Sequence, residues 1–553
     1  MLYGDLLALE YQTMASTGCA LVANTGPEDS GEIDPRALEV APLTGRQRSL
    51  LLALFLLVAS SVALMSGGHT YSIDEEIMFQ TTRSIVNRDP ALIEVNENFK
   101  KSLYRQAPGD PDSYAGVYGI GQSVAGIPLY LVGEGLASFA SNEDDRELIV
   151  RVSTFLTNSI LTAAAAIVVV LLSRELGASF SGAYLLGFVF AFGTFAFPHG
   201  RTFFSEPGTS LLLAVSVLCA IRSRSRSPSL RWPFFAGVAA GGAVLFRVSS
   251  LLFLPIIFLY LISVRIQRRD RWSHAWPPIA VYGAGVAGML VLSGGFNFWR
   301  YGSFFALGYS TGSATFANPV LSGLSDLYFS PGKSLFLYAP IAALGIFGFI
   351  SLMSRSLRWE AVAIGAIIGA HSILIARLPF WHGDASWGPR YLAIVLPLVV
   401  AVAAPVTRLR IGRSAAVGLG VVGLLGPALL GTLVYFNVFL ARVIGATGSV
   451  AASHQTASWN PLLGQVELVP EALRDLIGAD RPGEARRPPY PANPVDDYGF
   501  YAIEPRLDAW WAWVGPTQGS ALTYFLLVPI GAGFAGALTA FRNGSRSPIS
   551  PGA

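Results

Sequence analysis

The stretch "YSIDEEIMFQTTRSI" (71–85) contains three consecutive carboxylates, Asp74, Glu75 and Glu76, soon after the uncharged apolar run 49–66. A carboxylate in this position can take a proton from a weak nucleophile such as an alcohol, or it can bind a hard divalent cation. The structural alternatives are a solvated loop and an acidic first helical turn that the helix dipole stabilises. The stretch alone leaves these interpretations open.

Further charged side chains adjoin other apolar runs. Glu206 begins a run just after His199 and Arg201, and Arg247 separates two short runs. Cations fixed at helix ends can bind a phosphate, although single arginines there commonly snorkel to the membrane interface, and an acid before a proline suits a helix N-terminus. The rest of this set is Lys333 in "YFSPGKSLFLYAP" and His382, Asp384 and Arg390 in "RLPFWHGDASWGPRYL".

The composition predicts an all-α polytopic membrane protein. The chain has 553 residues, of which 52% are hydrophobic and 13% charged, and its mean hydropathy is +0.50. Apolar runs recur along it that approach the roughly 20 residues of a spanning helix. A net charge of +3 gives no indication of a nucleic-acid partner. The two cysteines, Cys19 and Cys219, define neither a disulfide framework nor a cysteine-based metal site.

Arginine-rich segments predict which loops lie inside the cell, because inner loops carry the excess of Lys and Arg. An even number of crossings between consecutive inner segments requires about 12 transmembrane helices with both termini cytoplasmic. Residues 67–148 then form one large outer loop, in which 113–133 is an amphipathic helix along the outer surface. The arginine-rich segments are Arg46 to Arg48, 222–231, 265–271, 354–358, 407–413 and 541–546.

The same topology divides the chain into four regions. Residues 1–48 are predicted to be a disordered cytoplasmic tail, and residues 49–441 the transmembrane catalytic region. Residues 442–515 are an extracytoplasmic segment rich in proline and tryptophan, either a lid over the outer cavity or a flexible loop, and 459–478 within it has helical spacing. Residues 516–553 supply the last transmembrane helix and a cytoplasmic tail.

The order of these features resembles a known family. An Asp-Glu pair in a large first outer loop with interfacial helices, and an acid that opens a later helix, resemble the GT-C fold of membrane glycosyltransferases, which includes protein O-mannosyltransferases and lipid A aminoarabinose transferases. The segments "YGIGQSVAGIPLYLVG", "SPGKSLFLYAP" and "HGDASWGPRYL" are similar to a bacterial branch described as phospholipid-carrier-dependent glycosyltransferases. The resemblance covers about residues 49–440. Ile77 departs from it, because the aminoarabinose enzymes carry an arginine there.

The resemblance implies an inverting transfer of a sugar from a polyprenyl-phosphate donor to a hydroxyl of a glycan, lipid or protein, at the outer face of the cell membrane. Asp74 is then the base, Glu75 orients the acceptor or a metal, and Glu206 is a second carboxylate. No cofactor is required, although Mg or Mn between Asp74 and Glu206 is compatible with oxygen ligands. Glu76 should point elsewhere, so that Glu76→Gln is mild.

The remaining residues have two expected roles. The donor phosphate is expected to bind Arg247, Lys333, Arg390 and Arg201. Contacts with the acceptor or sugar, or structural roles, are expected for His199, His382, Asp384 and Tyr118.

Two other functions remain open at this point. One is a glycan ligase or polymerase that uses a polyprenyl-diphosphate donor on the same fold. The other is a secondary transporter of lipid or sugar, which would show repeated halves and polar groups near mid-membrane. The sequence shows no internal repeat, and the charged set lies at one predicted surface.

The predicted topology can be tested by labelling. Single cysteines introduced at Ser113 and at Ser141 should both react with an impermeant thiol reagent added from outside, because 113–133 does not cross the membrane. Reaction at position 141 only after permeabilisation would show that this segment crosses and that the count of twelve is wrong.

Overall fold

The computed structural model describes a mainly α-helical chain with one small sheet. The predicted tail 1–48 lies largely outside the described residues, as does most of 477–519. The described residues are 40–92, 95, 100–108, 112–140, 143–224, 229–267, 272–306, 308, 316–354, 356–383, 386–434, 436–476, 507–513 and 520–546.

The helices of the first half are α1 Gly45–Leu64, α2 Ile73–Asn87, α3 Lys100–Leu103, α4 Ile120–Ala137, α5 Glu143–Phe155, α6 Thr157–Glu175, α7 Phe180–Phe192, α8 Ala196–Gly200, α9 Glu206–Arg222, α10 Arg231–Phe246, α11 Phe253–Gln267 and α12 Trp272–Tyr301. The strands are β1 Tyr104–Gln106 and β2 Tyr114–Gly116, which pair antiparallel. A 3₁₀ turn, Val248–Leu252, separates α10 from α11.

The helices of the second half are α13 Val320–Phe329, α14 Leu335–Tyr338, α15 Ala342–Met353, α16 Arg358–Ala376, α17 Leu396–Ala401, α18 Arg410–Gly423, α19 Leu429–Leu433, α20 Phe436–Thr447, α21 Ala452–Gln455, α22 Pro461–Leu476, α23 Trp510–Trp513 and α24 Ser520–Arg546. The segments Arg390–Ile394, Ala404–Arg408 and Ala457–Trp459 are 3₁₀ turns, and Leu424–Ala428 is a π turn.

The protein is a helical, multi-pass membrane protein. Six segments of the described chain are long and apolar enough to cross a membrane. Five shorter apolar helices accompany them, so the count of about 12 stays a prediction. The six segments are Gly45–Leu64, Asp145–Glu175, Val248–Gln267, Trp276–Tyr301, Arg358–Ala376 and Arg410–Leu433.

The apolar run 414–441 does not form one continuous helix. The chain leaves the helical conformation at Val434, and α20 begins at Phe436. Pro427 lies in the π turn between α18 and α19, and a proline inside a helix removes a backbone hydrogen bond and disturbs the helical register. Val434 instead forms an isolated bridge with Leu507.

The predicted interfacial segment 113–133 is a strand followed by a helix. Its first residues form β2, and α4 continues past its end to Ala137. The helix is not among the six span-like segments. It buries Tyr130 and exposes Leu131 and Val132, at 51% and 52%, and its placement along the outer membrane surface stays a prediction.

Helix α2 begins with the three acids of the motif. The side chain of Glu75 accepts the backbone N–H of Ser72, the N-cap residue of α2, over 3.2 Å, which satisfies a backbone N–H that has no partner inside the helix. The acidic first turn proposed as the structural alternative is therefore present. Behind it, Phe79 packs with Phe155 and Phe203 in one buried cluster, so that α2 is fixed against α5 and the chain before α9.

Glu76 points away from Asp74, as expected, into a buried ion pair. Arg151 on α5 donates to its two oxygens over 2.5 and 2.9 Å, and Gln80 donates over 3.2 Å. The Glu76 side chain is 2% exposed. Burial raises the pKa of Glu76, but Arg151 outweighs this effect and the pKa is lowered. The pair joins α2 to α5, which makes Glu76 a structural residue.

Glu76→Gln should therefore reduce stability, contrary to the mild effect expected from sequence. The substitution leaves Arg151 with Glu147 as its remaining acidic partner, so we expect a loss of about 1–3 kcal/mol in the free energy of unfolding, measured by thermal unfolding in detergent. Glu143→Gln is the control, because Glu143 is 87% exposed in its pair with Arg146. An equal loss of unfolding free energy in the two variants would contradict a structural role for the buried Glu76–Arg151 pair.

Candidate active site

Asp74 is the accessible member of the acidic motif. Its side chain is 21% exposed, whereas Glu75 and Glu76 are 0% and 2% exposed. The hydroxyl of Tyr118 donates to one oxygen of Asp74, and Arg390 donates from Nη2 to the other over 2.8 Å. Of the three acids, only Asp74 is exposed enough to contact a molecule bound at the surface of the protein.

Arg390 connects Asp74 to a second carboxylate. Its Nε donates to Oε1 of Glu206 over 2.6 Å, and its guanidinium lies 3.6 Å from the ring centre of Phe204. Gly388, two residues earlier, has φ +62°, and a Cβ there would meet the ring of Tyr338 at 2.7 Å. A glycine is required at this turn, since other residues rarely adopt such a φ, and the turn aims Arg390 at both carboxylates.

Glu206 and Arg247 complete the cluster. Glu206 is the first residue of α9 and is fully buried. Nη1 of Arg247, at the end of α10, donates to the same Oε1 over 2.5 Å, and its guanidinium lies 5.1 Å from the ring centre of Tyr391. Oε2 of Glu206 is buried without a hydrogen-bond partner among the described residues. Two carboxylates and two guanidiniums, from four different elements, thus balance in charge.

Arg300, which belongs to none of the sequence motifs, holds the backbone of Tyr118. Arg300, at the end of α12, donates from Nη1 to the carbonyl oxygens of Gly116 and Tyr118, at 2.6 Å each. The Arg300 side chain also lies over the rings of Phe296 and Tyr301, at 4.3 and 4.4 Å. In the sequence, the only indication of a role for Arg300 is its position at the end of a long apolar helix.

Glu75 is bound to the backbone on both sides. Oε1 accepts the N–H of Phe203 over 2.7 Å, and Oε2 accepts those of Tyr71 and Ser72. Burial raises the pKa of Glu75 to about 8, while these N–H groups lower it. Such a pKa would suit a base, but the Glu75 side chain is fully buried, whereas that of Asp74 is 21% exposed. The structure therefore places Glu75 where it fixes the chain around Asp74 rather than where it meets an acceptor.

Arg201, expected to bind phosphate, lies in a separate buried cluster. Its guanidinium pairs with Asp508 and donates from Nη1 to the carbonyl oxygens of Met65 and Thr432, at 2.9 Å each. Arg201 is 2% exposed. A guanidinium engaged by an aspartate and by backbone carbonyls is a structural tie, so we correct its assignment to the phosphate group.

Lys333, His199 and His382 lie beside the cluster rather than in it. Lys333 is fully buried and donates to the carbonyl oxygen of His382 over 3.0 Å. Burial lowers the pKa of His199 to about 4, with Glu206 opposing the shift and Arg390 and Lys333 adding to it. These charges therefore act on one another, although Lys333 does not share a carboxylate with the two arginines among the contacts described. Asp384 lies outside the described residues.

Two buried histidines brace the backbone around Arg390. A ring nitrogen of His199 lies 2.9 Å from the carbonyl oxygen of Trp387, and one of His371 lies 2.9 Å from that of Tyr391. A carbonyl only accepts, so each histidine donates from Nε2. His371 was missed from sequence, because an isolated histidine in an apolar helix gives no indication of its partner.

The bridging metal allowed by the sequence does not fit these residues. Arg390 already lies between Asp74 and Glu206, the two proposed ligands. Within the described ranges, the structure shows no group of three or more His, Cys, Asp or Glu side chains able to hold a metal ion. A guanidinium takes the bridging position, and no step of the chemistry proposed below uses a metal.

No family model matches the chain, and no curated protein matches it. Similar solved structures include ArnT from Cupriavidus metallidurans bound to undecaprenyl phosphate, at 13% identity and a TM-score of 0.44, covering 89% of this chain and 76% of that one. An apo structure of the same ArnT has the same identity and TM-score and covers 90% and 76%. An oligosaccharyltransferase from Archaeoglobus fulgidus, in complex with Zn and sulfate, is similar at 14% identity and a TM-score of 0.42. The match covers 72% of this chain and 56% of that one.

These likenesses concern the path of the helices. At such identities and TM-scores no residue role is transferred, and the chemistry follows from the side chains alone.

Replacing Arg390 tests the cluster without reference to any substrate. Arg390→Gln removes the charge between two carboxylates, so the free energy of unfolding should fall by about 3–5 kcal/mol at neutral pH. The deficit should shrink as pH falls from about 4.5 towards 2, because Arg390 helps to hold the pKa of Glu206 at about 2 and the stability that this pairing supplies is lost between those two values.

The matched control for this substitution is Arg442→Gln. Arg442 pairs with Glu471 at the surface, with side chains 46% and 37% exposed, and its loss should change stability little. Thermal unfolding in detergent at several pH values measures both variants. A pH-independent deficit at Arg390 would contradict the bridging role.

Proposed function

We propose that this protein is an inverting glycosyltransferase of the cell membrane. It moves a sugar from a polyprenyl-phosphate donor to a hydroxyl of a glycan, lipid or protein acceptor at the outer face. The observation that carries the proposal is the Asp74–Arg390–Glu206–Arg247 cluster. It joins one accessible carboxylate to two guanidiniums in a helical membrane protein, which is the pair of functions that this reaction needs.

Asp74 serves as the base. The acceptor oxygen attacks the anomeric carbon and forms the new C–O bond, its proton passes to an oxygen of Asp74, and the bond to the phosphate oxygen breaks with its electron pair on the leaving phosphate. One displacement on one carbon inverts its configuration. Asp74 suits this role because it is the exposed acid and because Tyr118 and Arg390 fix its two oxygens.

The two arginines receive the phosphate. Charge grows on the leaving group in the transition state, so fixed donors near it accelerate the reaction. A guanidinium carries five N–H donors, and the two carboxylates engage two of those of Arg390. A phosphate that accepts hydrogen bonds from Arg390 also weakens the ion pair between Arg390 and Asp74. Donor binding would thereby free the base when it is needed.

Glu206 keeps the arginines in place. Both donate to its Oε1, so the carboxylate sets the spacing between the two guanidiniums. Lys333, buried nearby, adds positive charge to the same region. This arrangement requires no cofactor and no nucleic acid, and the partners are the lipid-linked donor, the acceptor and the surrounding lipids.

The rival functions differ in measurable products. A ligase or polymerase on the same fold releases polyprenyl diphosphate, whereas the proposed enzyme releases polyprenyl monophosphate. A transporter moves lipid or sugar across vesicles without transfer. The charged clusters occur at the ends of α9, at Glu206 and at Arg222, rather than at its middle, where transporters bind their substrates.

Asp74→Asn is the direct test of the base. Asparagine keeps the size of the side chain but does not accept the proton, so the transfer rate in membranes should fall about 10²–10⁴-fold. Binding of undecaprenyl phosphate should be largely retained. The measurement is transfer from a panel of radiolabelled polyprenyl-phosphate sugars.

Asp89→Asn is the matched control for Asp74→Asn. Asp89 is an exposed acid just after α2, and its substitution should leave transfer unchanged. Near-wild-type transfer by Asp74→Asn would falsify the assignment. An acidic helix turn with no chemical role predicts that outcome, with a cost in stability of only ~0.3–1 kcal/mol.

A further inference from the structure

The carboxylate of Asp508 ties together two segments that lead to the active site. It accepts from the ring of His69 over 2.7 Å and from the hydroxyl of Tyr71 over 3.0 Å. It also pairs with the guanidinium of Arg201. Residues 69–72 precede Asp74, and residues 201–203 precede Glu206.

Glu75 joins the same two segments through their backbone. It accepts the N–H of Tyr71 and of Ser72 on one side and that of Phe203 on the other. Asp508 and Glu75 thus form two parallel connections, one between side chains and one to the main chain. The first segment continues into Asp74 and the second into Glu206, the two carboxylates that Arg390 bridges.

Asp508 reaches this position from the far end of the chain. Its backbone N–H donates to the carbonyl oxygen of Leu433 over 3.0 Å, and its own carbonyl accepts from Arg201 over 2.6 Å. The next tryptophans anchor the segment against the end of α1, since Trp510 donates from Nε1 to Ala63 over 3.0 Å and Trp511 to Leu64 over 2.8 Å. Residues 507–511 therefore dock beside the chain that leads to α2.

The tie is built from buried charges. Arg201 is 2% exposed, Asp508 0% and His69 1%. Burial raises the pKa of Asp508, but Arg201 and His69 outweigh it and hold that pKa at about 2, so the carboxylate is ionised at neutral pH. Buried ion pairs often stabilise a protein no more than packed apolar residues would. Stability alone therefore does not explain this arrangement.

We propose that Asp508 is a positioning residue for the active site. By tying residues 69–72 to 201–203, it sets the separation of Asp74 and Glu206 at which one guanidinium reaches both. The segment at 507–511 is then part of the catalytic architecture rather than a terminal appendage. The effect on donor binding rests on the function proposed above, whereas the effect on the backbone does not.

The experiment separates positioning from stability with a double variant. Asp508→Leu alone leaves Arg201 buried without its partner and should lower the melting temperature. Combining it with Arg201→Met removes both charges and should recover most of that loss. The control pair is Arg224→Met with Glu360→Leu, which removes a buried ion pair at the opposite end of α9 and likewise takes a partner from a tyrosine, Tyr260.

Hydrogen exchange is the readout that a purely stabilising role would not change. In the Asp508→Leu/Arg201→Met variant, the amides of Tyr71, Ser72 and Phe203 should exchange at least about tenfold faster, the factor that loss of one hydrogen bond to a charged group represents. Undecaprenyl phosphate should bind about tenfold more weakly. The control pair should change neither measurement.

The outcomes distinguish the two proposals. Recovery of the melting temperature with wild-type exchange at the three amides overturns the positioning role. Faster exchange in a protein whose wild type does not bind undecaprenyl phosphate supports positioning and counts against the proposed donor. If the double variant does not fold, Tyr71→Phe gives the same test, because it removes one hydrogen bond of Asp508 and no charge, and unchanged exchange at Phe203 overturns the proposal.

Discussion

The arrangement depends on one guanidinium that neutralises two carboxylates at once. Arg390 contacts Asp74 and Glu206 over 2.8 and 2.6 Å, and without it two negative charges would lie together in a largely buried site. Charges removed from water are tolerated only when they are paired and hydrogen-bonded. Four elements must therefore meet at one place, and the surrounding helices hold them there. They are the start of α2, the start of α9, the end of α10 and the 3₁₀ turn Arg390–Ile394.

Much of this site could be predicted from the sequence, because charge beside apolar runs is costly and conspicuous. Asp74, Glu206, Arg247 and Arg390 were selected on that ground, and the structure brings them together. Tyr118 was selected with less reason and proves to bind Asp74. The helical membrane class followed from composition and hydropathy. Each of these signals lies within a short stretch of sequence, so the sequence was sufficient to predict these features.

What escaped prediction depends on pairings between distant residues. Arg201 and Asp508 are 307 positions apart, and nothing in "HGRTFFSEPG" indicates whether its arginine faces a ligand or a buried aspartate. The same holds for Arg300, whose partners are backbone carbonyls, which every residue possesses. The helix break at Val434 could not be predicted without knowing that Val434 forms a bridge with the distant Leu507. The sequence identified which charges matter but not which of them neutralise one another.

The three acids of the opening motif show how neighbouring residues take different roles. Successive helical positions are about 100° apart, so Asp74 faces Arg390 and the outside, Glu75 turns to the backbone of Phe203, and Glu76 reaches Arg151. Two of the three are fully engaged in holding α2 in place. The third, Asp74, is partly exposed and contacts Tyr118 and Arg390. The structural interpretation of the motif therefore applies to Glu75 and Glu76, the chemical one is proposed for Asp74 alone, and the two structural acids hold the helix from which Asp74 projects.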